Sequence, residues 1–104
     1  IALRPPRTDN EPPPPANVAV TLGERSVGDE LEVVIVNVAA GSEAERGGLR
    51  PGDILWSVDD EVVLDMADAR RALGGSIGSD VILELEREGG GETELVRIRR
   101  EAVR

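Results

Sequence analysis

Apolar residues alternate with smaller or polar ones along Asn17 to Leu22 (NVAVTL), where Val18, Val20 and Leu22 share a period of two, so this run predicts a half-buried strand. Gly23 to Glu30 reads as a polar turn. Val33 to Val38 (VVIVNV) is almost wholly β-branched and apolar, the pattern of a central strand covered on both faces. Ser42 and Glu45 have the spacing of a capping box on a helix of about one turn, which Gly47-Gly48 ends. Pro51-Gly52 supplies the fixed φ and then the positive φ of a type II turn. That turn leads into a strand from Asp53 to Val58 (DILWSV), and Asp59-Asp60 turns the chain back. Asp65 caps a longer helix to Leu73 (DMADARRAL), with Met66, Ala69 and Leu73 at helical spacing and Gly74-Gly75 as the stop. Val81, Leu83 and Leu85 alternate with Ile82, Glu84 and Glu86, then Gly89 to Gly91 turn, and Val96 and Ile98 alternate with arginines. This is a closing hairpin.

Ile1 to Ala16 (IALRPPRTDNEPPPPA) holds six of the seven prolines and divides the chain into a proline-rich linker, 1–16, and one folded domain, 17–104. The same segment could serve as a ligand for a partner's aromatic groove. Because the chain opens on Ile1, it reads as a piece of something larger, with Ile1 to Leu3 as the end of a preceding domain.

Composition removes whole classes of function. The net charge is −9, and Asn17 to Glu94 carries six Arg against eighteen Asp and Glu. Such a field repels phosphate backbones and anionic lipid, and with no Phe or Tyr for base stacking, nucleic acid is not an expected partner. No apolar run approaches the roughly 20 residues that span a bilayer, so no membrane insertion is expected of this segment. The chain contains no Cys, no His and no Lys. Disulfides, thiolate metal sites, the imidazole proton shuttle, the Schiff-base amine and the phosphate-loop lysine are therefore all excluded. Ser26, Ser42, Ser57, Ser76 and Ser79 lack the usual activating base and read as cap or turn residues. Asp59, Asp60 and Glu61 lack the spacing of a calcium loop, and Gly74 to Asp80 (GGSIGSD) is a helix stop without the lysine of a phosphate loop. Trp56 is expected to lie half buried beside the core. The domain is expected to be no enzyme and to need no cofactor or metal.

The stretch Gly41 to Asp53 (GSEAERGGLRPGD), followed by ILWSVDD, resembles the segment that marks PDZ domains of the bacterial, circularly permuted, protease-associated type. The helix at 65–73 and the hairpin from Val81 to Ile98 also fall where such domains place theirs. The resemblance implies an α+β fold that is mainly β: a partly open five- to six-stranded sandwich or barrel capped by one short and one longer helix. Glu43 stands where the family commonly has Pro, Gly47 where it has Ala, Asp60 where it has the turn Gly, and Ala19 where the binding loop has Gly. The implied function is peptide binding by β-augmentation between strand 17–22 and helix 65–73, within a multidomain protein. Backbone amides of Asn17, Val18, Ala19 and Val20 would receive a C-terminal carboxylate, and Thr21 and Leu22 would continue the edge. Met66, Arg70 and Leu73 would form the opposite wall. Partners would be protein C-termini or extended segments with apolar residues, and the isolated domain would be monomeric. The alternatives are a substrate-sensing domain of a bacterial protease and a docking domain with an unused groove. A bacterial envelope or periplasmic location follows from the resemblance alone.

Overall fold

The computed structural model describes residues 16–87 and 90–102. Residues 1–15 of the expected linker lie outside that range, as does Gly89 of the expected turn. Ala16, the last residue assigned to the linker, is buried and pairs with Ala102 in a two-stranded sheet of β1 (Ala16–Asn17) and β8 (Glu101–Ala102).

The main sheet is antiparallel and open. It runs β2 (Val20–Val27), β3 (Glu30–Val38), β4 (Ile54–Val58), β6 (Asp80–Glu86) and β7 (Thr93–Arg99), and β5 (Glu61–Val62) adds to β4. Two helices complete the fold, α1 (Glu43–Arg46) and α2 (Met66–Leu73). This is a mainly β domain with one short and one longer helix.

Most elements follow from local chemistry. Ser42 Oγ accepts the Glu45 amide at 3.1 Å, while the Glu45 carboxylate reaches the Gly41 amide at 2.9 Å, one residue earlier than the reciprocal partner of a capping box. Asp53 N–H donates to Arg50 O across Pro51-Gly52, and Gly52 has φ +97°, as a type II turn demands. Asp59 and Asp60 turn β4 into β5 with φ of 50° and 69°, so both residues occupy the left-handed region that a two-residue hairpin turn of type I′ needs. Val81, Leu83, Leu85 and Ile98 are fully buried, as their alternation predicts. They pack with Val33, Ile35, Leu55, Val58, Ala69 and Leu73 into one core.

Three expectations are corrected. The strand expected over 17–22 is divided: Asn17 ends β1 and pairs with Glu101, whereas β2 begins at Val20. Gly23 to Glu30 is not a turn: β2 continues to Val27, and only Gly28-Asp29 reverses the chain. Glu24 to Val27 are all exposed, so this half of β2 shows no apolar period. It is held by pairing of Gly23–Val27 with Glu30–Val34 and by the Arg25–Glu32 ion pair at 2.8 Å. Val33 to Val38 is covered on one face only: Val33 and Ile35 are buried, but Val36 is 55% exposed. β3 lies next to the sheet's end rather than at its centre, and Val36 is the extra residue of a bulge between Thr21 and Leu22.

Candidate functional site

β2 is the end strand of the main sheet, so one edge of Val20 to Leu22 has no neighbouring strand among the described residues. Strand edges of this kind are templates for a further chain. Beside that edge runs α2, which enters on Asp65, whose carboxylate accepts the Asp68 amide at 2.8 Å. Its C-terminal carbonyls are fixed by a distant residue. Arg100 donates from Nε to Leu73 O at 2.8 Å and from Nη2 to Ala72 O at 3.1 Å.

Between edge and helix lies a cleft of about 400 Å³ lined by Asn17, Val18, Val20, Thr21, Leu22, Arg70 and Leu73. Seven of the nine residues singled out in the sequence thus share one cavity. Val18 and Leu73 are buried, Val20 and Leu22 half buried, and Arg70 is exposed at the rim. The floor is apolar and the helix side carries a cation.

Ala19 and Met66 are not among the lining residues. Ala19 O accepts the Ala39 amide at 3.0 Å, which ties the loop to the end of β3. Among the described residues only Asp59 and Asp60 are non-glycine residues with positive φ, so the loop at Ala19 does not call for glycine. Its amides are partly engaged: Val18 N–H donates to Asn17 Oδ1 at 2.8 Å and Val20 N–H to Val18 O at 2.8 Å. Met66 is half buried against the core, and its amide donates to Glu24 Oε2 at 2.9 Å. Glu24 and Arg100 both shape this site, and neither has a local sequence signature. Glu24 falls in the segment read as a turn, and Arg100 is one of several arginines in the tail.

An open sheet edge flanked by a helix, with a cleft between them, defines a groove-bearing interaction domain. A family model described as "PDZ domain" matches residues 34–87, and the chain belongs to that family. It is 36% identical over 80 residues to carboxyl-terminal-processing peptidase 2, chloroplastic, of Arabidopsis thaliana, covering 75% of this chain and 15% of that protein. Among solved structures, it is similar to a photosystem II D1 C-terminal processing protease, with a TM-score of 0.78 and 26% identity over 88% of this chain and 24% of that one. The PDZ domain of a carboxy-terminal protease from Vibrio cholerae, solved in complex with peptide, has a TM-score of 0.67 and 26% identity, covering 86% of this chain and 96% of that one. PDZ domains are non-catalytic modules, and the proteins that carry these similar domains are proteases.

Proposed function

We propose that this domain binds the C-terminal end of an extended peptide as an additional antiparallel strand beside β2, with α2 as the facing wall. The observation that carries this reading is the cleft itself, which joins an unpaired strand edge to an apolar floor. Backbone pairing along Val20 to Leu22 supplies affinity, and Val18, Val20 and Leu73 receive the ligand's terminal apolar side chain. The terminal carboxylate meets the Ala19 amide, displaces Asn17 Oδ1 from the Val18 amide, and is supported by Arg70.

A second reading is favoured by the relatives: the 36% identical protein is a peptidase of which the chain covers 15%. On that reading the groove senses substrate for a parent protease. A location in a bacterial envelope or periplasm belongs to the same proposal.

The test is a titration of the domain with peptides ending in apolar residues, followed by amide chemical shifts. The largest shifts are expected at Asn17 to Leu22 and along Met66 to Leu73. Val20→Asp places an anion beside the ligand carboxylate and is expected to weaken binding by about a hundredfold or more, with the fold retained because Val20 is only half buried. If millimolar peptide leaves the groove's amides unmoved, the domain is a docking unit with an unused groove. Undiminished affinity in Val20→Asp would remove the pocket assignment.

A further inference from the structure

Glu24 lies on β2 two residues past Leu22, just beyond the lining of the cleft. Its carboxylate crosses to α2 and accepts the Met66 amide at 2.9 Å, a bond between residues 42 positions apart. That amide is the first of the helix's unpaired donors, and Asp65 serves a different one, at Asp68. Arg25, the adjacent residue on the strand, is engaged with Glu32 at 2.8 Å. The groove therefore runs open from the loop at Asn17–Val20 as far as Leu22 and is then bridged by a side chain that ties its two walls together.

We propose that Glu24 is a specificity-determining residue, which limits how much of a ligand the groove reads and favours a basic residue where a longer ligand passes it. The proposal rests on strand addition beside β2. At about 3.3 Å per residue, a ligand whose last residue sits beside Val20 has its fifth residue from the end beside Glu24. A shorter ligand leaves the bridge intact. A longer one breaks the bond to the Met66 amide, which lowers its affinity by about two- to tenfold relative to a groove without the bridge. The carboxylate so released faces the passing ligand with its charge exposed. Arg or Lys there recovers an ion pair, whereas Asp or Glu meets like charge.

The experiment uses a tetrapeptide with an apolar C-terminal residue, and octapeptides that share those four residues and carry Ser, Arg or Glu fifth from the end. Each is titrated calorimetrically into the whole chain and into Glu24→Ala, with circular dichroism to check that both are folded. In the variant the Ser octapeptide is expected to gain about two- to tenfold while the tetrapeptide is unchanged. The Arg octapeptide is expected to bind the unaltered chain more tightly than the Ser octapeptide and to lose that advantage in Glu24→Ala. If the tetrapeptide binds but the order and spacing of the octapeptides are the same in both proteins, the role of Glu24 is overturned and strand addition stands. If no peptide binds either protein, strand addition fails and this proposal with it.

Discussion

Gly47 shows how a residue that looks interchangeable in sequence is fixed by a single atom elsewhere. It sits at the end of α1 with φ −75° and ψ −7°, a conformation any residue adopts. A Cβ at this position would lie 2.2 Å from Cδ1 of Ile98, the terminal methyl of a side chain that is 1% exposed and packed in the core. Replacing Gly by Ala at a compatible backbone conformation ordinarily stabilises by about 0.4–1 kcal/mol. Here the overpacking term, about 1–3 kcal/mol, is the larger. Gly47→Ala is therefore expected to destabilise the domain by about 1–2 kcal/mol in urea unfolding followed by Trp56 fluorescence. Ile98→Val removes the clashing methyl and costs about 0.5–1.5 kcal/mol alone. The double variant should be no less stable than Ile98→Val, and simple additivity of the two losses would show that the clash is not the cause.

The elements divide by whether their information is local. β6, β7 and α2 were legible because each has a buried face that repeats at its own period: Val81, Leu83 and Leu85 in one, Ala69 and Leu73 in another. The outer half of β2 was not legible, since Gly23 to Val27 has no buried face and is held as a strand by its pairing with β3. For the same reason the site was half legible. Its floor residues are periodic, while Glu24 and Arg100 reach it through contacts that no spacing encodes. Arg100 is the more consequential for α2. Its side chain, 11% exposed, holds the carbonyls of Ala72 and Leu73 and also donates to Ser79 Oγ at 2.9 Å, so one guanidinium anchors the end of the groove's helical wall. Arg100→Lys keeps the charge but cannot span these acceptors. It is expected to cost about 1.5–3 kcal/mol and to speed amide exchange in the last turn of α2 more than in β6. Equal acceleration in both would mean that Arg100 serves the fold as a whole and not the wall.

Across the whole molecule the governing quantity is charge. With eighteen acidic residues against six arginines between Asn17 and Glu94, and four more arginines from Leu95 to Arg104, carboxylates outnumber the cations that could pair with them. The pairs that do form on the surface, such as Arg46–Glu43 at 3.1 Å, are exposed and worth only about 0.2–1 kcal/mol each. The pairs that matter structurally are sheltered. Asp53 is 3% exposed, accepts the Arg50 amide at 3.0 Å and is joined by Arg87, which also donates to Gly48 O. Added salt therefore weakens contacts of small value, leaves the sheltered ones, and screens the repulsion among the remaining carboxylates. Moving from about 10 mM to about 150 mM salt shortens the screening length from about 30 Å to about 8 Å, which is less than the width of a small domain. The unfolding midpoint is expected to rise over that interval. The same field opposes the approach of a free C-terminal carboxylate, so the association rate of an acid-terminated peptide should rise with salt, while that of its C-terminal amide should change less. Stopped-flow measurements on the acid and amide forms of one peptide separate the two effects. An association rate for the acid form that falls with salt would mean that Arg70 and the loop amides, rather than the molecule's overall charge, dominate the potential at the groove's mouth.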